Sequence, residues 1–102
     1  MGALPRVARV VKQSDIVLEM IDARFPHRSQ RLRKIVRRKG RKLMLVVNKV
    51  DLADDGRKVA RRLGGIPFSA TTGRGKRRLL KELEGVAGSR DIRVGVVGRP
   101  NV

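Results

Sequence analysis

Apolar positions along this chain alternate between helical and strand-like spacing. Over residues 4–13, Leu4, Val7, Ala8 and Val11 recur at three- and four-residue intervals, with Arg6, Arg9 and Lys12 elsewhere, which predicts a helix. Pro5 suits its first turn. Ser14 and Asp15 break the pattern, and Asp15–Asp22, DIVLEMID, reads as a short apolar strand. Pro26 closes that region. Ser29 is a candidate cap for a second helix with Leu32, Ile35 and Val36 on its apolar face, ended by Gly40. The run LMLVV at 43–47 is continuous, the pattern of a strand buried on both faces of a parallel sheet. Asp54 or Asp55 could cap a third helix, with Val59, Ala60 and Leu63 inward and Gly64-Gly65 at its end. Ile66-Pro67-Phe68-Ser69 predicts a third strand, and Gly73 and Gly75 mark a loop. A fourth helix carries Leu79, Leu80, Leu83, Val86 and Ala87 as a broad apolar stripe, and Ile92–Val97 forms the last strand, running into Gly98.

The order is a helix, three strand–helix units and a strand. It predicts an α/β fold with a parallel sheet, covered faces and right-handed crossovers. No internal repeat or low-complexity linker divides the chain, so it reads as one unit. Ligands of open parallel sheets sit beyond the carboxyl ends of the strands. Four segments occupy that position: DARFP at 22–26, NKVDL at 48–52, SATTG at 69–73 and GRPNV at 98–102.

Composition narrows the chemistry. The 102 residues suffice for one small core, 40% of them are apolar, and only two are aromatic, both Phe. There is no cysteine, which excludes disulfides, thiolate metal sites and a Cys nucleophile, and one His cannot build a zinc site with the usual ligands. No apolar run approaches a membrane span, and Met-Gly-Ala-Leu-Pro-Arg has no apolar signal region, so a cytoplasmic protein is the expectation. Lys and Arg number 26 against 9 Asp and Glu, a formal net charge of +17. Such a field attracts polyanions, nucleic acid before an anionic membrane, though a solvated Arg-rich surface would look the same. The scarcity of aromatics argues against a base-stacking platform and for contacts to phosphates or RNA shape.

In NKVD, the carboxylate of Asp51 can accept both donors of guanine's Watson–Crick edge, N1–H and the N2 amino group. Adenine lacks that pair, and a carboxylate left unpaired in a closed site is costly, which is the basis of discrimination. Asn48 can bridge loops while reaching the other edge of the base, and the stem of Lys49 can lie over the ring. A polar turn after a strand is the plainer reading. Ser69, Ala70 and Thr71 offer a small-residue loop where the Ala70 amide could approach guanine O6. Gly98, Arg99, Pro100, Asn101 and Val102 match the first five positions of the phosphate-loop pattern G-x-x-x-x-G-K-[ST]. The pattern's lysine and magnesium-binding hydroxyl lie beyond them.

Taken together, these segments resemble the circularly permuted GTPases of ribosome assembly, in which NKxD and the Ser-Ala loop precede the phosphate loop. Asp22-Ala23-Arg24, followed by Pro26, is similar to the Asp-Ala-Arg signature that these proteins carry after their first strand. The resemblance covers about residues 5–102. It implies a partial P-loop GTPase fold with four parallel strands in the order four-one-two-three. The domain over 1–102 would be a single partial GTP-binding domain, permuted and ending inside the phosphate loop. It further implies guanine recognition by Asn48, Lys49, Asp51, Ser69, Ala70 and Thr71, and a phosphate cradle begun by Gly98–Val102. GTP or GDP would be the ligand, with magnesium and potassium in the complete protein. Asn101 stands where related GTPases place a potassium ligand. No catalytic residue falls within the chain, and 102 residues alone should not hydrolyse GTP. The chain is then a piece of a longer protein, an incompletely read one, or a truncated descendant with another task. An open sheet edge in such a piece would favour self-association.

The stretch from Arg28 to Lys42 holds nine basic residues: Arg28, Arg31, Arg33, Lys34, Arg37, Arg38, Lys39, Arg41 and Lys42. A helix this basic could track an RNA backbone, and ribosomal RNA or a ribosomal subunit is the partner the resemblance implies. A solvated helix face is the simpler account. The helix lacks large apolar anchors such as Trp or Phe, which argues against a membrane role. Three function classes remain: the guanine-binding portion of a GTPase, a small basic α/β RNA-binding module that never binds nucleotide, and a generic parallel α/β scaffold that binds neither.

Overall fold

Four short apolar runs become four strands of one parallel sheet in the computed structural model, which describes residues 3–99. The strands are β1 (Ile16–Asp22), β2 (Lys42–Asn48), β3 (Ile66–Pro67) and β4 (Val94–Gly98). The helices are α1 (Ala3–Gln13), α2 (Gln30–Arg38), α3 (Gly56–Leu63) and α4 (Lys76–Ala87). The strands lie side by side as β3-β2-β1-β4, the order the sequence resemblance implies, so the last strand sits beside the first. Register aligns Asp22 with Asn48 and Met20 with Gly98, which brings three of the four strand-end segments to one edge.

Register also sorts the core. Val17, Ile21, Leu43, Leu45, Val47 and Val97 share one face, covered by α1 and α2 through Val11, Leu32 and Val36, and by α3 through Ala60. The path β1-β2-β3 steps one way across the sheet and β3-β4 returns. Right-handed crossovers therefore place α2 and α3 on this face and α4 on the other. On that second face Ile16, Leu18, Val46 and Ile66 are buried, while Val94 and Val96 of β4 are 40% and 59% exposed. Among the described residues, α4 contributes none to either core cluster. The expectation of fully covered faces is thus met on one face and only partly on the other. No residue of the broad α4 stripe is fully buried, and Leu80 is among the exposed large apolar residues.

The helix signals differ in how they act. Ser29 caps α2 as expected, its hydroxyl accepting the Leu32 N–H at 3.1 Å. Asp55 occupies the cap position of α3 but its side chain makes no capping bond. Gly56 opens that helix instead, because the backbone of Val50 passes so close that a Cβ there would sit 2.6 Å from the Val50 carbonyl oxygen. The third strand is two residues rather than four. Phe68 still donates to the Val47 carbonyl, but the Ser69 N–H turns away to the Arg74 carbonyl at 2.9 Å, and the chain leaves the sheet as a loop.

Candidate functional site

The strand-end segments are tied together by hydrogen bonds between unlike parts of the chain. At the end of β2, Asn48 is buried, and its Oδ1 accepts the Ala70 N–H at 3.3 Å. Its carbonyl accepts the Ala23 N–H at 2.8 Å. Asn48 thus joins the Asp-Ala-Arg, NKVD and Ser-Ala-Thr segments. The Ala70 amide, which the sequence reading aimed at a guanine carbonyl, has this asparagine as its partner.

Lys49 then takes the left-handed conformation, φ 63°, and among the described residues it is the non-glycine residue with positive φ. That geometry costs a lysine about 1 kcal/mol and persists only where its surroundings fix it. They do so here. Val50 N–H donates to the Phe68 carbonyl, Leu52 N–H to the Lys49 carbonyl, and Gly56 packs under Val50. The result is a 3-10 turn over Val50–Leu52 that turns Asp51 outward to solvent.

Asp51 lines a cavity of about 550 Å³ with Val50, Arg57, Thr72, Gly73 and Arg74. The far wall is the loop after β3, organised by buried Ser69. Its hydroxyl accepts the Thr72 N–H and its carbonyl accepts the Gly73 N–H. Gly75 closes the loop at φ 85°, where a Cβ would collide with the Pro67 carbonyl. Of the residues singled out in sequence for the base, Asp51 lines this cavity, while Asn48, Lys49, Ser69, Ala70 and Thr71 do not; the opposite side is residues 72–74 of the loop that Ser69 organises. Arg57, Thr72 and Arg74 also line the cavity and were not singled out in sequence. An Arg in the first turn of α3 and one flanked by Gly73 and Gly75 carry no motif of their own.

Asp22, at the end of β1, anchors the third segment. It takes the Arg24 N–H at 2.8 Å and the Arg24 guanidinium at 3.1 and 2.8 Å, and Lys49 Nζ lies 3.7 Å away. Arg24's side-chain hydrogen bonds, opposed by desolvation and aided by its N–H and by the charges of Arg24 and Lys49, pull the carboxyl down to about 2. A folded value below the unfolded one gives stability that is present above about pH 4 and lost as pH falls toward 2. Arg24 is 40% exposed, so we expect on the order of 1–2 kcal/mol. Urea unfolding of Asp22→Asn should show that deficit at pH 7 and converge with the unsubstituted chain near pH 2. Parallel curves at both pH values would mean the ion pair contributes nothing.

A second cavity, about 620 Å³, opens between the ends of β1 and β4, lined by residues including Glu19, His27, Arg28, Gly98 and Arg99. Gly98 ends β4 and Arg99 follows it, while Pro100, Asn101 and Val102 lie outside the described residues, as does any test of Asn101 as a potassium ligand. Among the described residues no three His, Asp or Glu side chains group to hold a metal.

The basic stretch divides. Arg31, Arg33, Lys34, Arg37, Arg38, Lys39 and Lys42 are exposed. Two members are committed internally. Arg28 is bonded to buried Glu19 at 2.6 and 3.0 Å, and Arg41 donates to the carbonyls of Val11 and Lys12 at the end of α1. Glu19 itself was passed over in sequence. Its only mark there is a carboxylate inside an otherwise apolar run. Among the described residues no helix is long and apolar enough to cross a membrane.

No protein-family model matches the chain. It is similar to the GTPase Der of Thioalkalivibrio sulfidiphilus, 34% identical over 111 residues that cover 91% of this chain and 24% of that protein. It is also similar to an uncharacterized GTP-binding protein of Methanocaldococcus jannaschii, 33% identical over 105 residues, covering 94% and 28%. The chain spans about a quarter of the length of these curated relatives. Over more than nine-tenths of its length the chain is thus similar to proteins named for GTP.

Proposed function

We propose that this chain is the guanine-reading part of a circularly permuted GTPase acting in ribosome assembly. Asp51 reads the guanine edge, Asn48 and Lys49 position the base, and Ser69, Ala70 and Thr71 form the second base loop. Gly98 to Val102 begin the phosphate cradle. Magnesium and potassium belong to the complete site, and hydrolysis to the complete protein. The carrying observation is that β4 pairs in parallel with β1, so Gly98 stands on the edge that holds Asn48. Two ordinary GTP-binding domains in tandem would also place base loops ahead of a phosphate loop, but in separate sheets. One shared sheet favours permutation.

The test is titration calorimetry with GDP and ADP, on this chain and on one continued through the phosphate loop. The continued chain should bind GDP in clear preference to ADP, and the shorter one weakly. Equal affinity for the two nucleotides in the continued chain would reduce NKVD to a turn.

RNA contact is the second part of the proposal, ribosomal RNA being the partner. It rests on the outward face of α2, where Arg33, Lys34, Arg37 and Arg38 are all exposed, and on the absence of any acidic residue from Arg24 to Val50. Without nucleotide binding, this face alone would leave the chain a basic RNA-binding module.

A further inference from the structure

One of the two aromatic side chains of the chain stands in solvent. Phe25 is 72% exposed, at the turn that leads from β1 to α2. Exposure of a single apolar residue is ordinary, but this one is held in place. The Asp22 carboxylate fixes Arg24 by backbone and side chain, Phe25 N–H donates to the Asp22 carbonyl at 3.0 Å, and His27 N–H donates to the Phe25 carbonyl at 2.8 Å. Pro26 fixes one more backbone angle. The Arg24 guanidinium lies 5.8 Å from the ring centroid, within cation–π range. With Arg24 on one side, an exposure of 72% leaves ring surface open to a partner.

The surroundings are cationic. Arg24 lies against the ring, and Arg31, six residues on and exposed, begins the run of exposed basic residues along α2. The two nearby carboxylates are already engaged, Glu19 by Arg28 and Asp22 by Arg24 and Lys49. A rigid, exposed ring with a guanidinium against it and positive charge around it suits a nucleobase whose phosphates the arginines hold.

We infer that Phe25 is a base-stacking contact for unpaired RNA, presented by the Asp22–Arg24 turn at the start of the basic helix. The inference rests on the RNA reading proposed above and sharpens it, from backbone tracking alone to a contact with one unstacked base. A scarcity of aromatics argues against a platform for many bases, and one ring is a point of contact for one base.

The chain has no Trp and no Tyr, so Phe25→Trp creates its sole indole emitter. We would titrate that variant with an unpaired oligonucleotide of about 10 nucleotides, with duplex RNA of equal length, and with anionic phospholipid vesicles. Emission should be quenched by the unpaired strand and little changed by the duplex. Phe25→Ala should weaken unpaired RNA about 10-fold, leave duplex affinity unchanged, and keep the salt dependence of both. Phe25→Leu, which keeps apolar bulk without a ring, should lose as much as alanine. Unchanged affinity in Phe25→Ala, an indole that stays silent at saturation, or a response to vesicles alone would each overturn the inference while sparing RNA contact by α2 in the first two cases. If neither RNA form binds in a salt-dependent way, the RNA reading of α2 falls with it.

Discussion

Asp51→Asn is expected to reverse base selection, from GDP to xanthosine diphosphate, in the chain continued through the phosphate loop. The carboxylate accepts N1–H and the N2 amino group of guanine. Xanthine replaces that amino group by a carbonyl oxygen, an acceptor facing an acceptor. An asparagine keeps one acceptor for N1–H and turns its amide N–H toward the new oxygen. Hydrogen bonds to a charged group contribute roughly 1.5–3 kcal/mol each, so losing one good pair and gaining a repulsive one should cost GDP on the order of 100-fold in affinity. Asp51 is exposed in its turn and lines the cavity as a surface side chain, so the substitution should leave the fold intact. Calorimetric titration of both nucleotides against both proteins is the measurement. A variant that loses GDP without gaining the xanthine nucleotide would show Asp51 to be only a charge near the site. A variant with unchanged GDP affinity would remove Asp51 from base recognition.

Why Asp51 stands out in sequence as a candidate and other features of the region do not follows from where the information lies. Strands and helices were legible because period and burial coincide: Leu32 and Val36 sit on one helical face, and the 45–47 run is buried on both sides of the sheet. Asn48, Lys49 and Asp51 stand out as candidates because they follow directly on such a strand. The link from Asn48 to Ala70 spans 22 residues and depends on strand order, which no local pattern encodes. The left-handed turn at Lys49 is imposed by tertiary contacts, against the preference of a lysine. Arg28 and Arg41 counted in sequence as two more cations of a basic stretch. Their internal use appears only once β1 and the end of α1 are in place. The exposed half of α4 escaped for the opposite reason. Its stripe is periodic, but periodicity reports which face could be buried, and the neighbouring strands decide how much of it is.

Glu19 is where such hidden organisation should show the largest effect on stability. It lies on the face of β1 that carries Val17 and Ile21, is 3% exposed, and takes two bonds from the Arg28 guanidinium and a third from the Ser29 N–H at 3.1 Å. One carboxylate therefore fastens β1 to the loop that carries Phe25 and to the cap of α2. Removing one partner of a buried pair costs about 3–5 kcal/mol, because the other is left without its counter-charge. The Arg28 side chain is 25% exposed and can partly rehydrate, so Glu19→Ala should fall near the lower end, about 3 kcal/mol. The Ser29 N–H would lose its acceptor as well, loosening the start of α2. Replacing both partners, as in Glu19→Met with Arg28→Leu, removes the stranded charge and should restore most of the loss. Urea unfolding at neutral pH separates the cases. A single variant far below a nearly normal double variant is the expected pattern. Equal losses in both would mean that the packing of the glutamate stem, rather than its charge, holds β1 to α2.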